Sequence, residues 1–93
     1  MSRNDEEILY RAIEQYGSTM QLIVSMEELS ELIKEISKSL RGNHNEKAVT
    51  EEIADVEIMI MQLKILFNNE NAVEVVKAQK LKRLADRLGG KSE

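Results

Sequence analysis

Two short stretches near the middle of the chain carry carboxylates at spacings that could bind a metal ion. MEELSEL contains Glu27, Glu28 and Glu31, and EEIAD contains Glu52 and Asp55. Residues three apart are neighbours on a helix surface, so each stretch presents one adjacent carboxylate pair. Carboxylate oxygens are the ligands preferred by Mg²⁺ and Mn²⁺. The spacing therefore predicts a divalent-metal site if the two stretches meet.

The second stretch opens a segment that is apolar almost all the way round, from Ile53 to Phe67. Such a segment is typical of a helix that is buried on several sides. A buried carboxylate without a partner is energetically expensive, because it loses its hydration. Glu52 and Asp55 therefore need something to neutralise them, and a divalent cation is the expected partner.

The elements that must position these carboxylates are helical. Proline is absent, and apolar residues recur at the 3.6-residue period nearly throughout, which predicts an all-α fold. Helix 1 is expected to span about 5–16 and end at Gly17, and helix 2 about 18–40, ending near Gly42. Helix 3 is expected to start near Val49 or Thr50 and to end at 68–69, and helix 4 to span about 71–88 and close at 89–90.

Two capping boxes are predicted at helix starts. Ser18 with Gln21 fits the pattern at the start of helix 2, and Asn71 with Glu74 fits it at the start of helix 4. The polar segment GNHNEKA between helices 2 and 3 is the one clear loop. His44 stands alone in it, and a solvent-exposed loop residue is the expected role.

Helix 2 has two contrasting faces. On one face, apolar residues follow one another at alternating intervals of four and three positions, which indicates bundle or coiled-coil packing. This apolar seam consists of Leu22, Met26, Leu29, Ile33, Ile36 and Leu40. Glu28, Glu31 and Glu35 lie on the opposite side and, taken alone, indicate a solvated acidic face. A short loop makes helices 2 and 3 antiparallel neighbours, so these glutamates could instead meet the acids of helix 3 around a metal.

The whole chain limits the possible classes of protein. Its 93 residues form a single domain, 1–93, without cysteine, and no apolar run reaches the ~18 residues of a membrane span. The polar start MSRNDEE is unlike a signal peptide, so a cytoplasmic protein without membrane association is expected. Residues 1–70 carry 7 Lys and Arg against 14 Asp and Glu, a balance of −7, and residues 71–93 carry 6 against 3, a balance of +3. The acidic body argues against duplex nucleic acid as a partner.

The pattern EExxE, followed after twenty residues by ExxD, resembles the all-α nucleoside triphosphate pyrophosphohydrolases, and in particular the short MazG-like enzymes of phages and prophages. MEELSELIKEISKSLRG and EEIADVEIMIMQLK are similar to the two central blocks of that family, and KLKRLADRL is similar to its basic ending. The likeness covers about residues 20–88. It implies a four-helix bundle of the all-α pyrophosphatase type that is completed by oligomerisation, as a homodimer or homotetramer.

The resemblance also implies a reaction and a site. The reaction is Mg²⁺-dependent hydrolysis of a nucleoside triphosphate, with deoxynucleotides favoured, to the monophosphate and pyrophosphate. The implied metal ligands are Glu28, Glu31, Glu52 and Asp55, with Mn²⁺ as the alternative ion. Glu27 and Glu28 are the implied catalytic carboxylates, Glu27 as an outer group that orients a ligand or accepts a proton from the attacking water.

Four basic residues are candidates for binding the substrate phosphates, because a triphosphate with one or two metals still carries excess negative charge; they are Lys38, Lys77, Lys80 and Arg83. Each has an ordinary explanation too. Lys38 suits the negative end of helix 2, Lys77 could extend its stem past the core, and the other two could lie on a solvated face.

Two other functions fit parts of the pattern. Phosphoribosyl-ATP pyrophosphohydrolase shares the acidic motif, but that family usually has a lysine-rich approach to it and an aromatic or histidine element after ExxD. STMQLIVSMEEL and EIMIMQL have neither. A non-catalytic acidic bundle could bind a partner through the helix 2 seam, but it has no need of two acids in its most apolar helix. The sequence contains no P-loop, and no Ser/His/Asp set is recognisable in it.

Overall fold

The computed structural model describes residues 1–89, which form four α-helices; these are α1 (Arg3–Tyr16), α2 (Ser18–Leu40), α3 (Glu46–Leu66) and α4 (Glu70–Arg87). No strand occurs among these residues, so the all-α prediction is confirmed. None of the helices combines the length and apolar character needed to cross a bilayer within this range. Gly90 and the KSE tail lie outside the described residues.

Side-chain caps make two helices start earlier than predicted. Ser2 Oγ accepts a hydrogen bond from the backbone N–H of Asp5 at 3.1 Å, so α1 begins at Arg3. Asn45 Oδ1 accepts one from the backbone N–H of Ala48 at 3.1 Å, so α3 begins at Glu46 rather than near Val49. Each cap satisfies a backbone donor that the first turn of a helix leaves without a partner.

Both predicted capping boxes are wrong. Ser18 lies inside α2, and the residue before it, Gly17, takes the cap position with φ of +89°, a conformation that favours glycine. Asn71 likewise lies inside α4, which is preceded by Asn69 without a side-chain cap. Glu74 cannot reach back to cap that helix, because its carboxylate pairs with Lys64 on α3 and with a lysine on its own helix.

Helices α2 and α3 form the main packed pair, and their most buried residues are polar. Ser25 Oγ lies 3.5 Å from Met59 Sδ and donates to the carbonyl of Gln21 at 2.9 Å. Ser25 and Gln62 are each 1% exposed, and Gln21 is also buried. These residues form a buried polar layer between the two helices, the glutamine layer (Gln21, Ser25, Gln62).

The apolar seam of α2 is directed away from α3. Met26, Ile33 and Leu40 are 62%, 66% and 85% exposed, and the other seam residues are exposed or half-buried. The acidic side of α2 is directed towards α3 instead, where Glu28 meets Glu52 and Asp55. The bundle packing predicted for the seam therefore does not occur within the protomer, and a large apolar surface is left uncovered.

The remaining helices cover little of this pair. Among residues 1–89, Leu9 of α1 is the one hydrophobic residue that is almost fully buried, with 6% of its surface exposed. It lies beside Ile58 and Met61 of α3. Helix α4 packs on the protomer mainly through its first turns, where Glu74 meets Lys64 at 3.4 Å. The radius of gyration is 16.2 Å, against about 12–13 Å for a compact chain of this length. The protomer is thus more open than a closed four-helix bundle.

Replacing Leu9 with alanine tests the attachment of α1. Because Leu9 is buried, we expect the free energy of unfolding to fall by about 2–4 kcal/mol. Urea unfolding followed by circular dichroism measures the change. The control is Arg11→Ala, an exposed position on the same helix, which should stay within about 0.5 kcal/mol of the parent. Equal effects of the two substitutions would show that Leu9 does not hold α1 in place.

Candidate metal centre

Three of the predicted carboxylates meet where α2 and α3 run side by side. Glu28 of α2 and Glu52 and Asp55 of α3 each place one oxygen within 4.8 Å of the other two. The antiparallel register brings them together, because the Ser25–Met59 contact lies about one helical turn further along the same interface. All three are half-buried. This group is called the acidic triad below.

The triad is electrostatically strained in the absence of a cation. A side-chain hydrogen bond with Asp55 raises the pKa of Glu28, and burial and repulsion from the neighbouring carboxylates raise it further. Burial is the main cause that raises the pKa of Glu52, followed by repulsion from Asp55 and then from Glu31. Both carboxyl groups therefore resist ionisation in this position.

Glu52 also has an oxygen that no protein group satisfies. Its Oε2 is buried and has no hydrogen-bond partner within residues 1–89. No Lys or Arg nitrogen of those residues lies within ion-pairing distance, 4.0 Å, of a triad carboxylate. Three converging carboxylates with an unsatisfied oxygen fit a hard divalent cation, which takes six or more oxygen ligands from protein and water.

The other two predicted acids lie beside the triad rather than in it. Glu31 Oε1 accepts from Lys34 Nζ at 3.2 Å, and its side chain is 47% exposed. Its charge still acts on the site, because it helps raise the pKa of Glu28 and of Glu52. Glu27 is exposed on α2. For Glu31 to act as a fourth ligand, its side chain must leave Lys34.

The predicted phosphate-binding residues are not gathered at the triad within one protomer. Lys38 is the nearest by position, and its Nζ is 3.2 Å from Glu35 on the same helix. Lys77 pairs with Glu74 at 3.3 Å. Lys80 and Arg83 line a shallow surface formed by α4 residues alone. Within residues 1–89 the basic residues of α4 thus form no ion pair with the triad, and their predicted role in binding substrate phosphates stays a prediction.

Sequence reasoning missed two parts of the acidic interface. Glu35 was grouped with the acidic stripe but not with the site, yet its side chain is only 13% exposed and its charge helps raise the pKa of Glu52. The glutamine layer was missed entirely, because Gln21 was interpreted as part of a capping box. Helical spacing was the available signal: Gln62 lies seven residues after Asp55, on the same face of α3.

A serine, a histidine and a glutamate also meet at the loop between α2 and α3, although no spacing in the sequence predicts such a set. Ser39 Oγ lies 2.8 Å from His44 Nδ1, and His44 Nε2 lies 3.2 Å from Glu46 Oε1. The Ser39 hydroxyl donates to the backbone carbonyl of Glu35, so its hydrogen is already engaged. The set is exposed and tethers the end of α2 to the start of α3. His44 is confirmed as an exposed loop residue.

Comparison with protein-family models, with curated proteins and with solved structures gives no match to this chain. The site is therefore interpreted from its own geometry.

Replacing Glu52 with glutamine tests whether the triad is one shared site. Removing a charge from a repelling group should stabilise the metal-free protein, while a glutamine binds the cation less well. Mg²⁺ should stabilise the parent by about 2.7 kcal/mol at a hundredfold excess over Kd, and the substitution should reduce or abolish that gain. Melting curves with and without Mg²⁺ measure both effects.

Two comparisons sharpen this test. Glu57→Gln removes one charge from the exposed side of α3. It should change neither the stability of the metal-free protein nor the stabilisation by Mg²⁺. The raised pKa of Glu52 makes the stability depend on pH. The contribution of Glu52 to the free energy of unfolding is complete below its ordinary pKa, and it is lost as the pH rises through the raised pKa. The stability gap between Glu52→Gln and the parent should therefore close on acidification from neutral pH. An unchanged Mg²⁺ response in Glu52→Gln would contradict the shared site.

Proposed function

We propose that this protein is a metal-dependent nucleoside triphosphate pyrophosphohydrolase that releases pyrophosphate and a nucleoside monophosphate. The observation that carries the proposal is the acidic triad, in which Glu28, Glu52 and Asp55 converge from two helices around an unsatisfied buried oxygen. The MazG-like resemblance of EExxE and ExxD supports the same reaction class. Mg²⁺ is the proposed ion, and Mn²⁺ has the same ligand preference.

The residues have distinct roles in this proposal. Glu28, Glu52 and Asp55 hold the cation, and Glu31 joins them when it turns away from Lys34. A bound divalent cation neutralises phosphate charge and lowers the pKa of a coordinated water. Glu27 and Glu28 are the proposed proton acceptors for the attacking water. Glu27 is exposed on α2 beside the triad, and Glu28 is one of its half-buried members. Phosphoryl-type transfer depends mainly on positioning and charge neutralisation, which this arrangement can provide.

The raised pKa of Glu28 fits a proton-accepting role. A general base works best when its pKa approaches the working pH, and the hydrogen bond with Asp55, burial and repulsion all move it in that direction. A bound cation opposes this shift by favouring the ionised carboxylate. In a loaded site Glu28 would therefore serve mainly as a ligand, and the outer carboxylate of Glu27 would be the group left to accept the proton.

A homodimer or homotetramer is part of the proposal. The apolar seam of α2 and the outer face of α3 are both exposed in the protomer, with Ile53 45% and Ile60 39% exposed. Apolar surface of this extent is typical of an interaction site rather than of a monomer. A second copy offers the same surface, so pairing α2 and α3 with their counterparts would cover both.

The reaction is tested by incubating the protein with a panel of ribo- and deoxyribonucleoside triphosphates and phosphoribosyl-ATP, with Mg²⁺ or Mn²⁺. We expect pyrophosphate and the monophosphate from at least one nucleoside triphosphate, and at least a hundredfold lower turnover by Glu52→Gln, since a lost ligand removes much of the bound metal. Release of orthophosphate with a diphosphate, or no turnover with either ion, would refute the proposal. Turnover of phosphoribosyl-ATP alone would identify the sister activity.

Assembly is tested by placing a charge on the α2 seam. Ile33→Asp would bury an unpaired carboxylate in the proposed interface, so we expect the mass measured by light scattering at micromolar concentration to fall towards that of one protomer. Asn4→Asp is the control, since it adds the same charge to an exposed position of α1, outside the proposed α2 and α3 interface, and should leave the assembly intact. A parent protein that is monomeric, folded and active would contradict the proposed assembly.

A further inference from the structure

Three side chains join the end of α2 to the start of α3 through a chain of polar contacts. Ser39 Oγ lies 2.8 Å from His44 Nδ1, and His44 Nε2 lies 3.2 Å from Glu46 Oε1. Ser39 Oγ also lies 3.0 Å from the backbone carbonyl oxygen of Glu35, one turn earlier on α2. The contacts therefore run from the last turns of α2, across the loop, to the first residue of α3. Ser39, His44 and Glu46 are called the loop clasp below.

The hydrogens that these contacts require can be counted. A serine hydroxyl has one hydrogen, and Ser39 donates it to the carbonyl of Glu35, so towards His44 Nδ1 the hydroxyl can only accept. The side chain of Glu46 is 80% exposed, and an exposed carboxylate near neutral pH is ionised and only accepts. Both ring nitrogens of His44 must then donate. Among the forms of imidazole, only the positively charged one carries a hydrogen on each nitrogen.

A neutral ring cannot keep all of these contacts. With its hydrogen on Nδ1, His44 keeps the contact to Ser39, but Nε2 and the Glu46 carboxylate then face each other as two acceptors. With its hydrogen on Nε2, His44 keeps Glu46, but the Ser39 hydroxyl must turn away from the Glu35 carbonyl to donate to Nδ1. One contact is lost in either case, and Glu46 no longer faces a positive charge. The clasp is therefore strongest when the ring is charged.

The charged residues beside the clasp act on the ring in both directions. Glu35 and Glu46 favour a second proton on His44. Three cations near the loop oppose it, namely Lys38, Arg41 and Lys47. The ammonium of the first is held 3.2 Å from the Glu35 carboxylate, and no Lys or Arg nitrogen of residues 1–89 lies within ion-pairing distance of Glu46. The imidazole is thus the one cationic partner that Glu46 has within those residues.

We propose that the loop clasp makes the joining of α2 to α3 depend on pH. In mildly acidic solution the charged ring of His44 holds Ser39 and Glu46 together, and at alkaline pH the neutral ring gives up one of the contacts. Imidazole is the side chain that ordinarily changes its charge between about pH 5 and 8. The stabilisation is complete where the ring is charged in both the folded and the unfolded chain, and it is lost as the pH rises and the folded ring loses its proton.

This pH dependence goes beyond the proposed function and is independent of it. The hairpin that the clasp closes is the one that carries the acidic triad, so a proton taken up at the loop acts on the element that assembles the site. The clasp itself contains none of the proposed metal ligands. Its effect on stability is therefore expected whether or not the protein hydrolyses nucleotides.

Replacing His44 with glutamine tests the clasp, because the amide has no charge at any pH. In metal-free buffer at about pH 5.5 we expect the parent to melt about 2–4 °C above His44→Gln, since an exposed charged contact stabilises modestly and the chain is short. At about pH 8.5 the difference should fall below about 1 °C. Melting curves at constant ionic strength measure both values. The triad is present in both proteins, so the difference between them cancels its titration.

Two further variants show whether the effect belongs to the clasp. Asn43→Ala is the matched control, because it changes the neighbouring loop residue and should alter the melting temperature equally at both pH values. Ser39→Ala removes the group that accepts from the ring. Combined with His44→Gln, it should lower the melting temperature by less than the sum of the two single effects in acid, and by about their sum in alkali, because interacting residues are not additive.

The charge of the ring can be observed directly, since His44 is the only histidine in the chain. Its nitrogen and carbon-bound hydrogen signals in an NMR spectrum need no assignment among several imidazoles. Glu46→Gln removes the anionic partner, so we expect a smaller share of charged rings than in the parent at the same pH near neutrality. Glu51→Gln removes the same charge from another exposed position of α3 and should leave that share unchanged.

Several results would overturn the proposal. An equal difference in melting temperature between the parent and His44→Gln at both pH values would show that the clasp does not respond to protons. A larger difference at alkaline pH would show that the neutral ring, accepting from Ser39 and donating to Glu46, is the form that joins the helices. An unchanged share of charged rings in Glu46→Gln would show that the two residues do not interact. These results are obtained without nucleotide, so they are separate from the failure of the proposed function.

Discussion

Repulsion among carboxylates at the boundary of α2 and α3 is the constraint on which the rest of the structure depends. Glu28, Glu52 and Asp55 are brought together by the packing of the two helices, and Glu31 and Glu35 add further negative charge nearby. Burial then raises the free energy of the ionised forms. Nothing within the described residues compensates this cost by an ion pair to the triad, so the arrangement makes physical sense as a binding site.

The pairing of α2 and α3 buries polar side chains and leaves an apolar seam exposed, the reverse of the usual distribution. The interior between α2 and α3 contains the glutamine layer and the acids, whereas the apolar seam of α2 is exposed. A buried amide oxygen that lacks a partner, as Oε1 of Gln62 does within the described residues, costs free energy because it has lost its hydration. An unsatisfied amide and an uncovered apolar seam both lower the stability expected of the isolated protomer.

Periodicity and motif spacing predicted much of this structure, and the errors have physical causes. The helices and the approach of Glu28 to Glu52 and Asp55 followed from i,i+3 spacing and a short connection. The starts of α1 and α3 were misplaced because a single serine or asparagine cap decides each of them. The two apparent capping boxes failed because Gly17 and Asn69 take the cap positions instead. The exposure of the α2 seam in the protomer was not predicted, since an apolar seam ordinarily packs inward.

The connection between α2 and α3 has a consequence for how the site forms. Only residues 41–45 separate the two helices, and Gly42, with φ of +88°, helps the chain to reverse. All members of the acidic triad therefore lie within one helical hairpin, between residues 28 and 55. A connection of five residues costs little loop-closure entropy, so the docking of α2 on α3 is the step that assembles the site. The three acids belong to this hairpin alone, and neither α1 nor α4 contributes a carboxylate to the triad.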